Sequence, residues 1–184
     1  MKKNIIAIIL IVIAVIVLVK GIDIQSVDEY YLSHIDDIKA DSRTVSLSIR
    51  CDTVLANWNL LDKSLQTGGY IPADGVILPK TEYVLREGDT VFTLLQRAVR
   101  YNKIQFEYQS NPLQGRSGTY VKGIRYLYEF SCGPLSGWLY KVNDIFSSGD
   151  SASYILKDGD AVEWVYSCDL GRDVGNSYGE DTSQ

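Results

Sequence analysis

One histidine, His34, occurs in 184 residues, and no stretch of the chain is rich in lysine or arginine. The cysteines number three (Cys51, Cys132 and Cys168), and none has the spacing of a metal site. Each scarcity excludes a class of function. Structural zinc needs closely spaced Cys and His ligands, so no metal is expected. Nucleic acid and anionic headgroups need a basic face. Lys2, Lys3 and Lys20 precede residue 21, so residues 21–184 carry 15 Lys/Arg against 23 Asp/Glu, a net charge of −8. Nucleic-acid binding is excluded on that balance. The Gly-Asp pairs are too sparse for a calcium loop. No two carboxylates stand out as a placed acid and base, so no catalytic residue is nominated and no cofactor is required.

One long apolar run is present. Residues Ile5 to Val19 are apolar without a break, after Met1-Lys2-Lys3-Asn4 and before Lys20. As helix, 15 residues span about 22 Å, short of a ~30 Å hydrocarbon core. Length alone suits a signal peptide, but Lys20-Gly21-Ile22-Asp23-Ile24-Gln25 offers no small-x-small cleavage pattern. The expectation is an uncleaved anchor at 5–20, with residues 1–4 cytoplasmic by the positive-inside rule and the rest exported. The protein is then single-pass in the cell membrane; the alternative is secretion after cleavage. Residues 21–43 read as a stalk, 44–171 as the folded domain, and 172–184 as a disordered tail. His34 falls on the stalk, which makes it a surface residue and no base for Cys132.

Within the domain, Val45, Leu47, Ile49 and Cys51 alternate with polar residues as a half-buried strand. Asp52 or Thr53 then caps a helix carrying Val54, Trp58, Leu61 and Leu65 on one face, ended by Gly68-Gly69. A second strand region runs from Val76 to Leu85. The strongest helix follows, capped by Asp89 or Thr90, with Val91, Leu94, Leu95, Ala98 and Val99 as its stripe and Asn102 as its stop. Ile104, Phe106 and Tyr108 alternate as a strand, and residues 109–119 read as loop. Strand-like runs follow at 120–124, 126–130, 138–143 and 161–168, with the tail from Asp169. Glu87-Gly88-Asp89 and Asp158-Gly159-Asp160 echo one another as tight turns, each built from a Gly free to take positive φ and an Asp that bonds the backbone.

The aromatic content is concentrated. Trp138 and Tyr140 share one face of a strand, and Trp164 and Tyr166 share one face of another. Aromatic rings give large contact area at low entropic cost, which suits a binding surface. A small β-domain core uses the same residues. Trp164 and Tyr166 are read as core. Gly137, preceding Trp138, is read as a point of close approach to the backbone. Asn143-Asp144 is first a turn, then a candidate polar contact, and the small polar loop from Phe146 to Ser153 either lines a pocket or hangs in solvent.

With these residues in hand, the domain resembles the bacterial family named for the C-terminal domain of transcobalamin and intrinsic factor. The resemblance is carried by Ser48-Ile49-Arg50-Cys51-Asp52-Thr53, Glu87-Gly88-Asp89-Thr90-Val91, Tyr128-Glu129-Phe130-Ser131-Cys132-Gly133, Ser136 to Asn143, Lys157 to Trp164, and Tyr166 to Gly171. It implies an α+β fold: a β-grasp-like mixed sheet packed on one main helix, here preceded by the single N-terminal membrane-anchor helix. It also implies a Cys51–Cys168 disulfide, with Cys132 unpaired because Ser151 stands where relatives place its partner. In the vitamin carriers this domain covers one face of cobalamin and a separate helical barrel holds the other; these 184 residues contain no such barrel. The candidate ligand is cobalamin, another corrinoid or a different small molecule, at Gly137, Trp138, Tyr140, Asn143 and Phe146. The competing reading is a surface module for a partner protein or transporter. A concave, partly exposed ring cluster favours the first, and fully buried rings favour the second.

Overall fold

The computed structural model describes residues 37–111 and 118–176. The anchor expected at 5–20, the stalk as far as residue 36 with His34, and residues 177–184 lie outside the described residues. The chain divides into Met1–Ile35 and Asp36–Gln184, and every described residue belongs to the second unit. Among the described residues, no helix is long and apolar enough to cross a membrane.

The first alternating run forms strand β1 (Thr44–Arg50), and Val45, Leu47 and Ile49 are 1% exposed or less. The helix expected after it does not form as one piece. Instead there are α1 (Thr53–Ala56), a 310 turn (Trp58–Leu60) and α2 (Lys63–Gln66). Two local competitors break it. Asn57 turns its amide back onto the Thr53 carbonyl at 2.9 Å, and Leu61 takes an extended conformation to bridge with Cys132. Asn competes with helical hydrogen bonds in this way wherever its side chain reaches the backbone. Val54, Leu61 and Leu65 are still buried, but Trp58 stays 39% exposed, so the stripe is real for three of its four residues.

Strand β2 (Val76–Val84) pairs antiparallel with β1 through two register shifts and contains Pro79. An edge strand tolerates that proline, because its N–H side need not join a ladder. The main helix, α3 (Val91–Tyr101), is closed at its start by a reciprocal Thr90–Thr93 capping box and at its end by Asn102. Its buried face holds Val91, Leu94, Leu95, Ala98 and Val99 and packs against β1. Arg97 on the same helix is buried too, and its guanidinium pairs with Asp89 at 3.0 Å.

Strands β3 (Phe106–Asn111) and β4 (Gly118–Ile124) reach further than composition indicated, so residues 109–111, 118 and 119 are strand and not loop. The run at 126–130 shortens to β5 (Leu127–Tyr128), because Arg125 and Tyr126 form the turn with φ of 52° and 66°. Strands β6 (Gly137–Val142), β7 (Ile145–Phe146) and β8 (Ala161–Ser167) complete the domain. Among the described residues the result is a mixed α+β fold with one five-stranded sheet, ordered β2-β1-β8-β6-β7, and one three-stranded sheet, β3-β4-β5. In the larger sheet only β1 and β8 run parallel.

The echoed turns behave alike. Asp89 accepts from the Arg86 amide at 2.9 Å and Asp160 from the Lys157 amide at 2.8 Å, with Gly88 and Gly159 at φ of 77° and 83°. The two segments also meet: the Leu156 amide bonds Asp89 and the Val91 amide bonds Tyr154. Past β8, residues 169–176 do not trail off as the composition suggested. The Asp173 carboxylate accepts from the Cys168 amide at 2.7 Å and holds a 310 turn at Arg172–Val174.

Candidate functional site

Register decides what the aromatic runs do. Strands β6 and β8 are antiparallel, and the pairing sets Trp138 opposite Tyr166 and Tyr140 opposite Trp164. Side chains alternate along a strand, so all four rings project from the same face of the sheet. They form a continuous ladder: Trp138 meets Tyr166 edge-on at 5.2 Å, and Tyr140 tilts over Trp164 at 5.4 Å. Tyr154 closes one end, edge-on to Tyr140 at 6.4 Å. None of the four rings is more than 6% exposed. Trp164 and Tyr166 are core as expected, and so are Trp138 and Tyr140.

The polar tips of the ladder are treated unequally. Trp138 Nε1 donates to the Leu127 carbonyl at 2.8 Å. Tyr166 donates to the Tyr128 carbonyl and meets the Ser136 hydroxyl at 2.8 Å. The Tyr140 hydroxyl holds the loop after β7, bonding the Ser147 hydroxyl and the Gly149 carbonyl at 2.9 Å each. Burial pushes the Tyr140 phenol up from its ordinary pKa, partly offset by the Ser147 bond. Trp164 Nε1 has no partner, and it is sealed from solvent. A buried donor left unpaired costs roughly 1–3 kcal/mol, so the group calls for an explanation.

Trp164, Trp138 and Tyr140 line a cleft of about 250 Å³ between the two sheets. Its other walls are Thr119 and Tyr120 of β4 and the loop 147–151. That loop is pinned by Asp150, whose Oδ1 accepts from the Thr119 amide at 3.1 Å and the Ala152 amide at 3.0 Å. Tyr120 stands at the lip, 47% exposed, and donates to Glu129 at 2.6 Å. Partial burial and the Glu129 carboxylate push its phenol up to about 12.

Of the remaining sequence candidates, Gly137 touches this region only lightly. A Cβ added there would sit 4.0 Å from the Tyr120 hydroxyl, an ordinary contact, so glycine is not required for close approach. Asn143 is a turn residue. With Asp144 it takes φ of 51° and 65°, and its amide is used internally, donating to Asp160 at 2.9 Å and accepting from the Ala161 amide at 2.9 Å. Phe146 lies on the short edge strand β7, under the Lys141 ammonium at 5.9 Å. Lys141 itself pairs with Glu163 at 2.7 Å, which raises its pKa. Thus Trp138 and Tyr140 converge on the cleft, while Asn143 and Phe146 are not among its walls. Thr119 and Tyr120 were not singled out by sequence reasoning, since only the β4–β6 geometry brings them there, whereas Asp150 belongs to the polar loop 146–153 read as a candidate pocket wall.

A larger concavity of about 390 Å³ opens between Ser48, Arg50, Leu78, Lys80 and Glu163. Two of its charges are already paired: Arg50 with Asp52 at 3.0 Å, and Glu163 with Lys141. All three cysteines are buried and free in this structure, and none of them is shown bridged. The Cys168 thiol lies against Cys132 and 3.8 Å from Thr53 Oγ1.

No curated protein matches the chain. Among solved structures, the crystal structure of haptocorrin in complex with Cbi is similar over 71% of this chain, with a TM-score of 0.45 and 13% identity. The shared part is 26% of that protein, so the chain spans about a quarter of it. Residues 88–167 match the family model described as a domain of unknown function, DUF4430. That span holds α3, β3 to β8 and all four rings.

Proposed function

We propose that the domain is a non-catalytic binding module that takes the edge of a small ligand into the Trp138–Tyr140–Trp164 cleft. The observation that carries this reading is Trp164 in the wall of that cleft, with its indole N–H left without a partner. A ligand acceptor placed there satisfies the one orphaned donor of the ladder. Entry requires the 147–151 loop to part from Tyr140, breaking two hydrogen bonds worth about 1 kcal/mol each. The cleft is smaller than the ~300–1,000 Å³ that encloses a whole small molecule. It accommodates a projecting group, and the rest of the ligand lies outside.

The ligand class rests on the family resemblance. A corrinoid, cobalamin included, carries peripheral carboxamides whose carbonyls are acceptors of the required kind. The β-grasp-like character of the domain is read from the strand order and the single parallel β1–β8 pair packed on α3. The module is placed outside the cell, held to the membrane by residues 5–20. The near-complete burial of the rings supports a second reading, a surface domain for a partner protein with the ladder purely structural. Titrating the full chain with cobalamin and with cobinamide, following tryptophan fluorescence, separates the two. Saturable quenching is expected for the first; no change at high micromolar ligand removes the corrinoid version.

A further inference from the structure

We propose that Cys132 and Cys168 form the chain's disulfide, tying the turn that leads into β6 to the end of β8, while Cys51 stays a buried thiol. The sheet register places the two together. Gly137 pairs with Ser167, so Cys168 continues β8 alongside Ser136. The chain from Cys132 to Ser136 folds back on itself, with the Cys132 amide donating to Ser136 Oγ at 3.0 Å and Ser136 Oγ donating to the Gly133 carbonyl at 2.8 Å. That turn returns Cys132 to the end of β8. Both sulfurs then lie at the two ends of the short α1: Cys132 Sγ donates to the carbonyl of Asn57, just past its end, at 3.5 Å, and Cys168 Sγ sits 3.8 Å from Thr53 Oγ1 at its start. Each of these two thiols also acts on the other's protonation. Cys51 continues β1 beside β8, where Arg50 pairs with Val165, and its amide is held by the Gly75 carbonyl at 2.7 Å.

The oxidant is a small-molecule disulfide such as oxidised glutathione. Cys168, 9% exposed against 0% for Cys132, is the sulfur an oxidant reaches first. Its thiolate attacks the oxidant's S–S bond and releases one thiol. The Cys132 thiolate then attacks the mixed disulfide and releases the second. The protein loses two electrons and two protons, and the oxidant gains both as two thiols. Burial holds both protein thiols protonated in the folded state, so the bridge closes as the chain folds and exchanges slowly afterwards. Once closed, it pins the start of β6 and the end of β8, the two strands that carry the aromatic ladder.

The test uses the full chain, reduced and unfolded, then refolded in a reduced/oxidised glutathione buffer, blocked with an alkylating agent and digested with trypsin without reduction. The three cysteines fall in separate peptides, Cys51–Lys63, Tyr126–Lys141 and Asp158–Arg172. Mass spectrometry is expected to find Tyr126–Lys141 joined to Asp158–Arg172, and Cys51–Lys63 alkylated. A link between Cys51–Lys63 and Asp158–Arg172, or three alkylated peptides, overturns the proposal. The result is independent of any ligand in the cleft.

Discussion

Trp138→Phe and Trp164→Phe delete the same atoms from the same ladder, and the structure assigns them opposite consequences. In either variant the smaller ring leaves a partly filled space, costing about 2 kcal/mol. At Trp138 the change also strips the Leu127 carbonyl of its 2.8 Å donor. The carbonyl keeps its ladder partner opposite Ile124, so the lost bond adds about 1 kcal/mol and Trp138→Phe is expected to destabilise by about 3 kcal/mol. At Trp164 the deleted N–H was already unpaired. Its removal relieves roughly 1–3 kcal/mol, which offsets the lost packing and leaves the variant within about 1 kcal/mol of the parent. Urea unfolding of the full chain, read by circular dichroism, measures both. Equal losses in the two variants would refute the reasoning, because they would mean that Trp164 Nε1 is as well satisfied as Trp138 Nε1.

Other consequences follow from the same geometry. Thr90→Ala removes one half of the capping box on α3 and should cost about 1–2 kcal/mol in the same urea assay, where a loss near zero would show the box contributes nothing. Asp150→Ala releases the Thr119 and Ala152 amides, so hydrogen exchange should quicken at Thr119 and across 147–152, while the amides of α3 keep their protection. Under reducing conditions, burial raises the Cys51 and Cys132 thiols from 9.0 to about 12 and Tyr120 from 10.0 to about 12. A pKa raised on folding means stability that is whole below the unfolded value and lost as pH climbs to the folded one. The urea midpoint should therefore hold up to pH 9 and fall between pH 9 and 12; a flat profile over that window contradicts the burial of these groups.

Much of the domain was legible in the sequence because local chemistry and tertiary packing agreed. Helix α3 is the clearest case: an apolar stripe, a Thr cap and an Asn stop all point the same way. The alternating runs of β1, β6 and β8 gave the strands, and the paired Gly-Asp turns gave their bends. The helix after β1 failed where tertiary partners outbid periodicity, since Leu61 left the helix to meet Cys132. The 109–119 segment failed because its polar composition hid a hairpin whose strands lie partly open to solvent.

The site was half legible for a related reason. Alternation shows that Trp138 and Tyr140 share a face, but register with β8 decides that they are buried against Tyr166 and Trp164. Asn143 was readable as a turn and not as a contact, because nothing local reveals that Asp160 takes its amide. The state of a tryptophan N–H depends on carbonyls distant in sequence. Trp138 finds one at Leu127 and Trp164 finds none, a difference no spacing rule contains.

The central claim is that the Trp164 N–H awaits an acceptor from a ligand, and the indole proton reports on that directly. With three tryptophans, the full chain gives three indole 15N–1H resonances, and Trp164→Phe identifies the one that matters. Adding cobinamide or cobalamin should move the Trp164 indole proton downfield as it gains a hydrogen bond, leaving that of Trp58 in place. An indole signal for Trp164 that stays fixed through saturating ligand, or one already at a hydrogen-bonded shift in the free protein, would contradict the account.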